Sequence, residues 1–146
     1  MATLHLRFIG RVDHRLKHEV ILMGKWLRAW YPFPIRLEVR LVHQMRLVDF
    51  DGTKCALRWW QNSNGTEPVT AEIAVGAFAK NFESGGEALA SPTVVAAVGR
   101  ALKYYYQAVR DSPIREDYAE RWGDRLLDAY YDGSSPPPPW KGAWTK

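Results

Sequence analysis

The sequence predicts an α+β domain with an N-terminal strand and helix, a small central antiparallel or mixed sheet, and two C-terminal helices. Three observations support this. Apolar residues recur at spacings of three and four in three separate stretches, the mark of amphipathic helices. Between the first and second of these the period switches to two, the mark of half-buried strands. The strand-like stretches gather in the middle and the helical ones toward the ends, so a segregated arrangement is expected.

Residues 3–12 alternate loosely and suggest a strand. Asp13 is a good N-cap for the next segment, where Leu16, Val20, Met23, Leu27 and Trp30 form one apolar stripe. Pro32 and Pro34 stop that helix. Residues 35–50 place Ile35, Leu37, Val39 and Leu41 on one side and Arg36, Glu38 and Arg40 on the other. Asp51-Gly52 is a turn signal, and Lys54–Gln61 reads as the partner strand of a hairpin. Asn62–Gly65 is a further turn, and residues 69–78 a further strand. Residues 79–90 read as a connecting loop. Ser91-Pro92 then matches an N-cap followed by the first helical residue, with Val94, Val98, Ala101, Tyr105 and Ala108 as the stripe. Ser112-Pro113 repeats the signal before Tyr118, Trp122, Leu126 and Ala129, and Gly133 ends the third helix. One domain is expected over 1–133. The tail 134–146, with four consecutive prolines, favours extended polyproline II.

Composition narrows the function classes. A chain of 146 residues has enough surface to bury for a self-sufficient core. Its single cysteine, Cys55, excludes an intrachain disulfide framework and a cysteine-rich zinc site. No apolar run is long enough to cross a bilayer, and a cytoplasmic protein is expected. Residues 1–60 carry 11 Lys+Arg against 5 Asp+Glu, whereas residues 61–146 carry 9 against 11. The basic residues are scattered, so they read as solvated faces. Seven Trp and seven Tyr suggest a core or groove lined with rings.

Local motifs for chemistry are sparse. His14 and His18 are four apart on the first helix, a spacing that can present two imidazoles to one metal. No third ligand shares their register, and they read as surface histidines. His5 and His43 sit on strand-like segments, His43 on the inward side. Cys55 lacks an adjacent base and reads as packing. There is no glycine-rich phosphate loop and no nucleophile elbow.

The run from Glu72 to Tyr131 carries the most information. The strand Glu72-Ile73-Ala74-Val75-Gly76 leads through Asn81–Ser91 to a helix ending in Tyr105-Tyr106-Gln107. Glu116-Asp117-Tyr118-Ala119 then opens a further helix. This order resembles the catalytic half of the minimal gluzincin-type zinc metallopeptidases, the minigluzincins. In that family the first helix bears His-Glu-x-x-His, often followed by aromatics and Gln, and the second supplies a Glu as third zinc ligand, commonly in Glu-x-x-Ala. The resemblance implies a zincin-like fold. With Tyr105–Gln107 setting the register, Arg100 and Tyr104 stand at the histidine positions, Ala101 at the glutamate position and Glu116 at the third ligand. Arg100 has no lone pair to donate, and Ala101 has no carboxylate to take a proton from metal-bound water. No His or Glu occurs between Ser91 and Ile114 to rescue the motif.

The resemblance therefore implies a pseudopeptidase with no metal cofactor and no catalytic residues, keeping Arg100, Ala101, Tyr104 and Glu116 as vestigial active-site positions. It also implies a cleft for an extended peptide or protein ligand beside an edge strand. Trp59, Trp60, Tyr105 and Trp140 are the candidate lining residues, with the tail as a candidate internal plug. Arg100 is expected to pair with Glu116 in place of the lost cation, or else to face solvent. Two alternatives stand beside this reading. One is an active hydrolase in which His14, His18 and His43 converge with Glu116. The other is a nucleic-acid module using Trp59 and Trp60 as stacking platforms, disfavoured by the scattered charge.

Overall fold

The computed structural model describes residues 4–61, 68–76, 87–109 and 116–139. In chain order these form β1 (Leu4–Ile9), α1 (His14–Trp30), β2 (Leu37–Val42), β3 (Leu47–Val48), β4 (Lys54–Cys55), β5 (Leu57–Gln61), β6 (Val69–Ala74), α2 (Glu87–Val109) and α3 (Glu116–Asp132). The class is α+β, with a mixed four-stranded sheet in the order β1-β2-β6-β5 and a separate two-stranded ladder, β3-β4. β1, β2 and β6 are parallel, and β5 runs antiparallel along β6 at the edge.

The long hairpin expected from residues 35–61 is replaced by two smaller arrangements. Asp51-Gly52 does turn the chain. Gly52 has a φ of +87°, and the Asp51 carboxylate accepts from the Thr53 N–H at 2.9 Å. That turn closes only the short β3-β4 ladder. β2 instead lies between β1 and β6, joined to β1 by the α1 crossover that parallel neighbours require. The burial of β2 explains this choice: Leu37, Val39 and Leu41 are buried on one face, and Glu38 and Val42 on the other. Such a strand is stable only with neighbours on both sides.

Register places Leu6, Val39, Ala71 and Trp59 in one row across the sheet. α1 and α2 cover this face, and α3 packs chiefly on α2. α1 forms as its stripe predicts. Asp13 caps it through the Arg15 N–H at 2.9 Å, and Leu16, Val20, Met23 and Leu27 are buried. Trp30 departs from expectation and is 60% exposed; the helix ends there and Tyr31 turns inward in its place. A Cβ on Gly24 would lie 2.7 Å from Leu6 Cδ1, so the glycine sets how closely α1 approaches β1.

α2 begins at Glu87, so Ser91-Pro92 lie within the helix and do not start it, and residues 87–90 are helix where a loop was expected. Glu87-Ala88-Leu89-Ala90 are all good helix formers, and they carry the helix upstream of the proline. α2 and α3 meet at a pair of glycines, where a Cβ on Gly99 would stand 3.1 Å from Gly123 Cα. α3 ends at Gly133, which has a φ of +74°. The turn expected at 62–65, the start signal Ser112-Pro113 and Trp140 lie outside the described residues. Among the described residues no helix is long and apolar enough to cross a membrane.

The opposite face of the sheet, over which no described helix packs, is charged. Arg7, Arg36 and Arg40 surround Glu38, while Arg40 and Arg58 hold Glu72. Burial alone would raise the Glu38 carboxyl. The Arg40 hydrogen bond and the charges of Arg40, Arg7 and Arg36 outweigh it and hold the group below the usual carboxylate range.

Candidate functional site

The edge strand β5, the middle of α2, the first turns of α3 and the β3-β4 turn enclose a cleft of about 700 Å³. Each contributes by a simple geometric rule. On β5 alternate residues point the same way, so Leu57 and Trp59 share the face turned toward the helices. On α2, Arg100 and Tyr104 are four residues apart and therefore neighbours on one face. On α3, Glu116, Asp117 and Glu120 occupy the first turn and the start of the second. The β3-β4 turn brings Asp49 and Asp51 to the rim.

Inside, the Tyr104 ring stacks on Trp59, with centroids 5.7 Å apart and planes 12° apart. Burial pushes the Tyr104 phenol up; Glu116 and Glu120 push it further, and Arg100 offsets part of the effect. Arg100 takes Glu120 as its ion-pair partner, at 3.6 Å, in place of the expected Glu116. The physical reason is helical: Glu120 is one turn further along α3, nearer Gly123, which packs against Arg100. Cys55 also lines the cleft. Burial raises its thiol, and Asp49 adds to the shift, so it stays a thiol and a weak nucleophile.

The structure thus brings Trp59, Arg100, Tyr104 and Glu116 together, with Cys55 beside them, and places Ala101, Tyr105, Trp60 and the histidines elsewhere. Ala101 is 1% exposed and packs in the core. Tyr105 is not a cleft residue: it is fully buried, and its hydroxyl accepts from the Ile35 N–H at 3.1 Å and donates to the Ile35 carbonyl. Trp60 also lies elsewhere, because strand alternation turns it to the charged face of the sheet. There it meets Phe50 edge-on at 5.8 Å, with Arg40 and Arg58 over its ring. His5, His14, His18 and His43 are all exposed, and none lines the cleft; for His43 this corrects the inward reading. Among the described residues no group of three or more His, Cys, Asp or Glu is arranged to hold a metal ion.

Five carboxylates, Asp49, Asp51, Glu116, Asp117 and Glu120, line the cleft against two guanidiniums, Arg58 and Arg100. Four of these acids escaped the sequence reading. The signal for two of them was present: Glu116, Asp117 and Glu120 crowd the start of one helix, more acid than the helix dipole alone asks for. Asp49 and Asp51 carried no comparable signal, since the turn that brings them here is local and its docking is not.

The described part of the tail, residues 134–139, does not line this cleft. Residues 134–139 fold back over the far side of the helices, where three side chains bind three successive carbonyls. The Tyr31 hydroxyl donates to Pro137 O at 2.6 Å, the Trp122 indole N–H to Pro138 O at 3.0 Å, and the Lys103 ammonium to Pro139 O at 3.0 Å. The tail starts from the end of α3 opposite Glu116, about 24 Å away at 1.5 Å per residue, and returns only to the level of Trp122.

No protein-family model, curated protein or solved structure matches this chain. The cleft must therefore be interpreted from its own chemistry.

Proposed function

We propose that this protein is a catalytically inactive, metallopeptidase-like scaffold whose cleft binds an extended basic peptide or protein segment, with no metal cofactor. The observation that carries the reading is the cleft beside β5, with an aromatic floor of Trp59 and Tyr104 and a rim on which five carboxylates outnumber two guanidiniums. An edge strand offers main-chain hydrogen bonds to an extended segment, and pockets beside it select side chains. A negative rim draws positive ligands and speeds their arrival. Catalysis has little support here. The thiol is held protonated, the histidines are dispersed over the surface, and Arg100 occupies the place where the resemblance puts a metal ligand. The positions of Trp59 and Trp60 weigh against a nucleic-acid module. They lie on opposite faces of the sheet and cannot act as one stacking platform, and the arginines near Trp60 are engaged by Glu38 and Glu72.

The test is selection by the immobilised full chain from a library of extended octapeptides, read by sequencing the retained pool. Enrichment of Lys and Arg, lost in Trp59→Ala, is expected. Retention of acidic peptides, or of none, refutes the reading. Metal analysis of untagged protein after dialysis against zinc and then buffer separates the hydrolase alternative, which requires one zinc per chain.

A further inference from the structure

The proline tail rests in a groove with a chemical logic of its own, independent of the cleft. Its walls come from the end of α1 (Tyr31), from α2 (Lys103, Tyr106) and from α3 (Trp122). The rings contact one another, with Tyr31 to Trp122 centroids 5.7 Å apart and Tyr106 to Trp122 centroids 6.2 Å apart. Pro137 is buried, and its carbonyl accepts from the Tyr31 hydroxyl. Three successive carbonyls are engaged by donors from three different elements. In a polyproline II helix, with three residues per turn, successive carbonyls point about 120° apart. The three donors therefore reach the segment from different directions, with Pro137 buried and Pro138 left exposed.

The donors also define what fits. The Trp122 indole N–H donates and cannot accept, and the Tyr31 hydroxyl, kept protonated by burial, and the Lys103 amino group each donate to a tail carbonyl. Proline presents a carbonyl and no N–H. A residue other than proline at 137, the buried position of the docked segment, would bring an N–H beside these donors, and left without a partner it costs about 1–3 kcal/mol. The groove therefore discriminates for proline by hydrogen-bond chemistry as well as by ring packing.

We propose that this groove is a recognition site for proline-rich segments of other proteins, and that the chain's own Pro136–Pro139 is its resident competitor. The tether is short. Gly133, Ser134 and Ser135 are exposed and separate α3 from the docked prolines. A short flexible tether gives an effective concentration in the millimolar range, so an incoming segment must outcompete a ligand already at that level. Withdrawal of the tail would remove the carbonyl partners of Tyr31, Trp122 and Lys103.

The experiment uses the full chain and a fluorescein-labelled peptide with the sequence of residues 134–142, read by anisotropy. In one variant Pro136, Pro137, Pro138 and Pro139 are each changed to Gly, which weakens the resident tail and leaves the groove intact. At least tenfold tighter peptide binding than to the unmodified chain is expected, and adding Trp122→Phe to the variant should cost most of that gain. Equal affinity for variant and unmodified chain, or binding indifferent to Trp122→Phe, overturns the proposal. A second measurement covers the case in which the glycine variant does not fold. A nitroxide on Lys141→Cys, beyond the docked prolines, with Cys55→Ala removing the other thiol, should broaden the Trp122 indole resonance, and millimolar unlabelled peptide should restore it. A resonance never broadened, or never restored, also overturns the proposal.

Discussion

α2 presents two grooves to its surroundings, and they solve the same problem in opposite ways. On one side Arg100 and Tyr104 face a cleft that is open, acidic and stacked on one exposed edge strand. On the other, Lys103 and Tyr106 face a groove that is aromatic and already filled by the chain's own prolines. Neighbours in sequence thus have different environments: Tyr104 is half-buried against Trp59, while Tyr106 is fully buried and donates to Pro32 O at 2.7 Å. A filled groove contributes to stability, whereas an open one leaves free energy available for a ligand.

The sharpest way to break this comparison is to truncate the two tyrosines. Tyr106→Ala removes a fully buried ring and its hydrogen bond, and a loss of about 3–5 kcal/mol is expected in urea unfolding. Tyr104→Ala removes a half-buried ring and one stacked pair and should cost about 2 kcal/mol, while abolishing peptide capture. Comparable losses of stability in the two would erase the distinction between the grooves.

Two further changes sharpen it. Trp122→Phe removes the donor to Pro138 O and should cost about 1 kcal/mol, visible as a lower unfolding midpoint and a more exposed tail by limited proteolysis. Lys103→Met addresses the filled side by pH. Burial pulls the Lys103 ammonium down to about 7 from 10.5. Between those values the unfolded chain binds more protons than the folded one, so stability should rise with pH there. The methionine variant should flatten that part of the profile, measured by denaturation midpoints from pH 7 to 10.

The smallest effect belongs to the open side. Arg100 pairs with Glu120, whose side chain is 65% exposed, and exposed pairs contribute under about 1 kcal/mol. Arg100→Gln should leave stability nearly unchanged and tighten the cleft's hold on basic peptides, because it removes one of two opposing positive charges.

Most of the fold was legible because it follows from period and punctuation. The Asp13 cap, the stripe from Leu16 to Leu27 and the stop at Pro32 fixed α1 locally. Strand pairing was less legible. Residues 35–61 looked like a hairpin because Asp51-Gly52 is a turn wherever it occurs, but β2 takes its partners from β1 and β6, at a distance in sequence no turn reports. Glu38 contributed to the error: a carboxylate in a strand signals solvent unless several arginines converge on it, as they do here. At the site, the family resemblance, with Tyr105–Gln107 setting the register, named Arg100, Tyr104 and Glu116, and Trp59 was named as lining; the acid-rich start of α3 went unread. Trp60 was misplaced because a Trp-Trp pair in a strand must split between faces. The tail was recognised as extended, but its destination depended on donors from three elements that meet only in the folded chain.

The central claim is that the cleft beside β5 selects an extended basic segment. The most direct measurement is calorimetric titration of the full chain with a lysine-containing extended octapeptide and with its glutamate counterpart, at two salt concentrations. The expected result is saturable binding of the lysine peptide, weakened by salt and by Trp59→Ala, and none of the glutamate peptide. Equal binding of both peptides, or binding of the lysine peptide that Trp59→Ala leaves unchanged, would contradict it.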